Sequence, residues 1–362
     1  MTTGTELARH FHAEVIRPLI KDVVGDNYSA ARIDGGSEVL GFDDETSQDH
    51  SWGPRLQLFL PEDSGPDLAD KLDATLRQRL PSEFLGYSTS FAPDIVGDGS
   101  YVASESVASD VDHLIEIIKL SDFLSRYAGM FSVDDLSSGD WLSIPSQKLL
   151  TLSTGPVFFD GVDLRNMQSQ LSFYPDDVWM YLMACQWTRF AQEEHFIGRT
   201  GMTGDELGSQ LITSRLTQHA IRLAYLLERQ YAPYSKWLGT AFRKLSCAES
   251  LGPLIEEVHS AKDWHQREAA FVEVASRLGE IHNDLGITEP VDTSPRQFFG
   301  RPIQYLDCER FAGALKSAAA GSSPDGLWDG RPIGGIDTFS DSTVLLEDRA
   351  RRSAIANLIT NS

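Results

Sequence analysis

Ile33-Asp34-Gly35-Gly36-Ser37-Glu38-Val39-Leu40-Gly41 runs on through residues 42–48 to Asp49-His50-Ser51-Trp52, and then into Pro54-Arg55-Leu56-Gln57-Leu58-Phe59-Leu60. Residues 28–33 read as a short strand that stops in two glycines. Glycine lets the backbone approach a ligand closely and turn with positive φ. Ser37 follows as the cap of a short helix, able to offer its hydroxyl and nearby N–H groups to a phosphate. Twelve residues later, Asp49 stands just ahead of the next strand, so its carboxylate can face the same mouth. Residues 54–60 alternate on a period of two until Pro61, which predicts a strand with one buried face.

Around this stretch the chain mixes helix and strand. Residues 7–24 place Leu7, Phe11, Val15 and Leu19 at helical spacing, with Pro18 as a point where the helix kinks or splits. Residues 67–80 read as a helix, 86–91 as a short strand and 113–118 as a further strand, followed by a helix to Gly129. Glu116 falls within that strand between apolar neighbours. An isolated charge there is costly unless a cation offsets it, and carboxylates completed by substrate phosphates are the usual ligands of Mg²⁺. Beyond residue 140 the pattern changes to long helices over 176–197, 205–230, 235–245 and 264–285. Tyr174-Pro175-Asp176-Asp177 is a good helix start. Short breaks between long helices predict an antiparallel bundle. Residues 318–335, rich in Gly, Ser and Pro, read as a loop, and 345–359 as a closing helix. The expectation is an α+β chain of two domains, a small mixed-sheet domain over 1–140 and a helical domain over 141–362.

The 362 residues carry 31 lysines and arginines against 53 acids, a net charge of −22. Residues 1–150 hold 26 of the acids and 11 of the bases, so the front of the chain is the better place for a metal or a cation. Such a surface repels phosphate backbones and anionic membranes, which argues against a general nucleic-acid binder. Cys185, Cys247 and Cys308 are far apart and form no CxxC, so neither a zinc site nor a disulfide framework is indicated. The first fifteen residues lack the apolar run of a signal peptide, and no stretch approaches the ~18 apolar residues of a membrane span. A cytoplasmic protein is the default expectation.

At these residues the sequence resembles the nucleotidyltransferase superfamily that includes the aminoglycoside nucleotidyltransferases. The signature there is Gly-Ser-x-x-x-Gly, a gap, Asp-x-Asp/Glu before a strand, and a third acid on a later strand. Here it reads Gly36-Ser37 with Gly41, Asp49-x-Ser51, and Glu116. The wording of residues 36–43 and 49–55 is similar to a bacterial branch of predicted nucleotidyltransferases of unknown function. That likeness continues through Tyr231-Ala232-Pro233-Tyr234-Ser235-Lys236-Trp237-Leu238-Gly239 and so spans most of the chain.

The resemblance implies Mg²⁺-dependent transfer of a nucleoside monophosphate from an NTP, ATP first among them, to a hydroxyl of a small and possibly cationic molecule. It assigns Asp49 and Glu116 to the metal and Gly36 and Ser37 to the outer phosphates. Arg222 and Lys236 of the helical domain would complete the triphosphate site. Lys236 opens a helix, where the dipole disfavours a cation, so a phosphate partner would explain it. Ser51 departs from the pattern: a hydroxyl is a poor substitute for a charged Mg²⁺ ligand. Asp43, Asp44 or Glu45 could swing in instead, one of two metals could be absent, or the site could bind nucleotide without turnover and serve regulation. Transfer of a nucleotide to a protein is a further alternative. Each residue also has a plainer reading: Gly36-Ser37 as a turn with a cap, Glu116 as an edge-strand residue facing water, and Arg222 and Lys236 as exposed cations paired with Glu228 or Glu249. Glu193 and Glu194 could face an acceptor, although Arg189 and Glu193 are spaced as a helical ion pair. Trp179, Trp187 and Phe190 read as bundle core.

Overall fold

The computed structural model describes residues 2–44, 46, 52–94, 100–104, 110–319 and 326–360. The chain is α+β and divides into two compact units, one of residues 1–135 and 148–172, the other of 136–147 and 173–362. Asp49 and Ser51 lie outside the described residues, as does Glu45.

The first unit opens with helix α1 (Gly4–Phe11), whose Thr3 cap and Glu6 form a reciprocal capping box. A π-helical turn, His12–Ile16, joins it to α2 (Arg17–Val24). The wide turn lies just ahead of Pro18, which cannot donate to the preceding turn. Pro18 therefore divides the long helix expected over 7–24. Strand β1 (Ser29–Ala31), β2 (Leu56–Leu60), helix α3 (Asp67–Arg79), β3 (Ile115–Lys119) and α4 (Leu120–Tyr127) follow. Helix α5 (Ser146–Thr154) passes from the second unit into the first at Lys148 and leads to β4 (Val157–Asp160) and α6 (Leu164–Gln170). Residues 148–172, which the sequence groups with the helical domain, thus return to the sheet.

The four strands form one mixed sheet in the order β3-β2-β1-β4. β1 is antiparallel to β2 and β4, whereas β2 and β3 are parallel, with Gln57 opposite Glu116. Alternation sends Leu56, Leu58, Leu60 and Ile115 into a core shared with Leu7, Phe11 and Ile20 of the first helices and Leu72 and Leu76 of α3. On the opposite face, Phe59 meets Phe123 of α4 edge-on at 5.2 Å. All five residues of β2 are buried, so the single buried face expected from alternation is corrected: helices cover both faces, and polar Gln57 is only 3% exposed.

The second unit contains helices α7 (Asp176–Glu193), α8 (Phe196–Gly201), α9 (Glu206–Leu227), α10 (Ser235–Phe242), α11 (Ala248–Ser260) and α12 (Trp264–Asp284). A hairpin of β5 (Arg296–Gln297) and β6 (Gln304–Tyr305) precedes α13 (Glu309–Ala318). Trp187 stacks on Phe311 at 4.3 Å and meets Phe190 edge-on, and Trp179 donates its indole N–H to the Leu226 carbonyl at 2.7 Å. These three aromatics are core. No helix among the described residues is long and apolar enough to cross a membrane, and all three cysteines are free and buried.

Candidate functional site

Strand direction fixes where the signature residues gather. β1 runs antiparallel to β2, and β2 parallel to β3. The end of β1, the start of β2 and the start of β3 therefore lie at one end of the sheet. Ala31, Gln57 and Glu116 stand side by side across the three strands there, and the 34–41 turn leaves β1 at the same end. Gln57 Oε1 accepts the Ile33 N–H at 3.1 Å and ties the start of that turn to β2.

The turn is not the short helix that Ser37 was expected to cap. Val39 N–H donates to Gly36 O, Gly41 N–H to Glu38 O and Phe42 N–H to Ser37 O, giving consecutive turns. Gly36 at φ +148° and Gly41 at φ +68° bracket them with backbone that suits glycine and breaks a helix. A Cβ on Gly36 would strike the Glu38 carboxylate. Among the described residues the Ser37 hydroxyl makes no hydrogen bond, and Ser37 is half-buried.

Beneath the turn lies a buried ionic knot that the sequence reading did not single out. Glu38, 6% exposed, accepts from Arg32 at 2.7 Å and from Arg55 at 2.8 Å. Arg32 also donates to the Gly35 carbonyl at 3.0 Å and pairs with Asp34. Burial pushes the Glu38 carboxyl up, but the Arg32 and Arg55 guanidiniums outweigh it and hold the group at about 2. The turn is thereby pinned from below at its second residue after Gly36. A cation in the otherwise uncharged run Tyr28-Ser29-Ala30-Ala31-Arg32-Ile33 was the available signal.

The acids at this end are mostly engaged. Asp43 accepts the first N–H of α1, from Gly4, at 2.7 Å and the Trp52 indole at 3.4 Å. Asp44 caps its own loop through the Thr46 N–H and hydroxyl. Glu116 stands on the edge strand, its side chain 29% exposed, in an ion pair with Arg126 of α4. It is one carboxylate in a position to meet a cation, and among the described residues no group of three or more His, Cys, Asp or Glu side chains is gathered to hold a metal.

In the second unit, Arg222 is buried in α9 and pairs with Asp341 at 3.0 Å. It lines a small cavity together with Asp337, whose carboxylate accepts the Ser146 N–H at 2.8 Å. Burial, ahead of the opposing Arg222 charge, raises the Asp337 carboxyl. Lys236 is exposed in the first turn of α10, 5.0 Å from the Trp237 ring centre, and does not line that cavity. Among the described residues neither cation pairs with the plainer partners Glu228 and Glu249; Glu228 accepts the Ser246 and Cys247 N–H groups. Glu193 is held by Arg215 at 2.8 Å and Arg189 at 3.5 Å. Glu194, its neighbour in sequence, is instead buried and accepts the Leu306 and Cys308 N–H groups.

Residues 141–238 match the family described as a domain of unknown function, DUF4037. No curated protein matches the chain. Among solved structures, the chain is similar to a nucleotidyltransferase-like protein from Exiguobacterium sibiricum 255-15, with 12% identity, 84% of this chain and 89% of that one covered, and a TM-score of 0.34.

Proposed function

We propose that the first unit binds a nucleoside triphosphate, ATP foremost, at the open end of its sheet and transfers the nucleoside monophosphate to a hydroxyl of a small molecule. The observation that carries this reading is the convergence of the Gly36-Ser37 turn, the lead-in to β2 and Glu116 at one end of the sheet. Ser37 and the Gly36 turn would receive the outer phosphates, and the Arg32–Glu38–Arg55 knot keeps that turn in one shape before ligand arrives. Asp49 and Glu116 would hold Mg²⁺, which when bound supplies neutralising charge for the triphosphate and the departing pyrophosphate. Glu116 would have to leave Arg126 to do so. A carboxylate at this mouth can also accept the proton of the attacking hydroxyl. A cationic acceptor suits the acidic chain.

Two observations favour a second reading, in which nucleotide is bound for regulation without turnover: Ser51 stands where a second acid is expected, and Glu116 is already neutralised by Arg126. Titration calorimetry of ATP, with and without Mg²⁺, on the native chain and on Asp49→Ala and Glu116→Ala tests both. Metal-dependent binding that falls at least tenfold in each variant is expected. Metal-independent binding unchanged in both would overturn the site. Pyrophosphate release with hydroxylated amines, together with intact mass of the protein after incubation with ATP, then separates transfer to a small molecule, transfer to protein and binding alone.

A further inference from the structure

The second unit holds a cavity of about 320 Å³ at the C-terminal end of α7, within the range of small-molecule sites. One side of it is the end of α7, through Thr188, Ala191 and Gln192, and the turn after it, through His195. The opposite side is the β5–β6 hairpin, which brings Phe298, Phe299 and Tyr305 to the cavity.

Four features of its chemistry agree. The rings form a box: His195 stacks on Phe298 at 4.2 Å, and Phe299 and Tyr305 stand against Phe298 at 80° and 88°. Aromatic faces attract cations, and Arg301 already lies 5.5 Å from the Phe298 centroid. Phe299 leaves 83% of its surface in solvent, at φ +48° on the hairpin tip, where a smaller residue would fit with less cost. Thr188 is 7% exposed, yet its hydroxyl has no hydrogen-bond partner among the described residues. Such an orphan is costly unless a ligand or water satisfies it.

Asp307 is balanced by Arg296 and Arg310, which leaves Glu194 and Glu309 against Arg331 along the lining. Burial raises the Glu194 carboxyl to about 7, and a cation bound beside it favours its charged form. Glu194 fastens the 306–308 loop and also faces the cavity. Burial, then the charges of Arg301 and Arg199, lower the His195 imidazole. The carbonyl end of α7 adds the negative pole of its dipole.

We propose that this cavity binds a small organic cation, an ammonium group carried on an apolar or aromatic body. The ammonium donates to Glu194 and Thr188 Oγ1, and the body packs into the ring box under Phe299. The inference stands on this cavity alone and is independent of the nucleotide chemistry of the first unit.

Calorimetry on the full chain, without nucleotide, with 2-phenylethylammonium, 2-phenylethanol and phenylacetate as probes tests it. The amine is expected to bind at least tenfold more tightly than the alcohol, and the carboxylate more weakly still. Phe299→Ala, a change at an exposed ring that leaves the fold intact, should weaken the amine roughly three- to thirtyfold. Thr188→Val, nearly isosteric, should weaken it roughly two- to tenfold. Absence of amine binding overturns the proposal, as does phenylacetate binding as tightly as the amine. Amine binding that neither substitution weakens also overturns it, because the amine would then sit elsewhere.

Discussion

Arg32 and Glu38 meet 2.7 Å apart with 1% and 6% of their side chains exposed, bridging the two sides of the Gly35-Gly36 bend. A buried pair of this kind contributes little over an apolar substitute, but losing one partner strands the other. Here the stranding is double, because Arg55 leans on the same carboxylate oxygen. Glu38→Gln is therefore expected to lower the unfolding free energy by about 3–5 kcal/mol, measured by urea denaturation at pH 7.

The same residue gives a pH signature. Its carboxyl is held at about 2 in the fold, against an ordinary value of 4.5. A depressed acid stabilises the fold above its unfolded pKa and loses that contribution as pH falls through the folded one. The native chain should thus lose this share of stability between about pH 4.5 and 2, and Glu38→Gln should lose less over the same window. Equal slopes for both chains would show that the carboxylate is not held as described.

These two arginines also mark the boundary of what the sequence discloses. The Gly-Gly-Ser turn, the strand after it and the strand of Glu116 were legible because glycine, proline and period-two alternation act locally. The knot beneath was not, since Arg32, Glu38 and Arg55 come together only when β1 lies beside β2. The same limit hid the strand Val157–Asp160: its sequence Val-Phe-Phe-Asp is short, and what makes it a strand is pairing with β1 about 130 residues earlier. It also hid α11, where Pro253 within the helix argues against helix on local grounds. Glu193 and Glu194 look alike in sequence, and only the 306–308 loop separates a surface ion pair from a buried acceptor.

Glu116 and Arg126 separate a structural role from a functional one. Their side chains are 29% and 59% exposed, so the pair itself contributes below about 1 kcal/mol. Arg126→Ala and Glu116→Ala should both leave stability nearly unchanged. On the proposed function they diverge in binding: Glu116→Ala loses Mg²⁺-dependent ATP affinity, while Arg126→Ala frees the carboxylate and retains or raises it. Parallel losses in both variants would mean that the ion pair, rather than the acid, matters to the site.

Restoring the expected acid offers a gain-of-function test. Changes around metal sites commonly alter affinity or activity by roughly 10–100-fold. Ser51→Asp should therefore raise Mg²⁺-dependent pyrophosphate release by at least about tenfold if the site turns over. Tighter Mg²⁺ binding with no release would favour the regulatory reading instead.

Glu268 tests the second unit at the other end of the pH scale. It is 6% exposed, accepts the Gln304 N–H at 2.9 Å through Oε1, and leaves buried Oε2 without a partner. Burial raises its carboxyl to about 7, above the ordinary 4.5. A raised acid contributes its full stability below the unfolded pKa and loses it as pH rises through the folded one. Glu268→Gln keeps an acceptor for Gln304 and removes the charge, so it should stabilise the chain by about 1–3 kcal/mol at pH 8 and by little at pH 4. The comparison is made by thermal melts at the two pH values.

Gly155 links the scaffold to the turn. An added Cβ there would lie 2.6 Å from the Arg32 and Thr151 carbonyl oxygens and 2.8 Å from Ile33 Cα. All three are backbone, with no flexible side chain to yield. Gly155→Ala must push the end of α5 away from the residues that launch the 34–41 turn, at a cost of about 1–3 kcal/mol. Gly239 in α10 is the control, because nothing lies within 4 Å of its added Cβ. Gly239→Ala should be neutral or stabilising by roughly 0.5–1 kcal/mol, as alanine suits a helix better. If the turn holds the outer phosphates, Gly155→Ala weakens ATP as well as stability, and Gly239→Ala changes neither downward. Full ATP affinity in a destabilised Gly155→Ala chain would detach the turn from nucleotide binding.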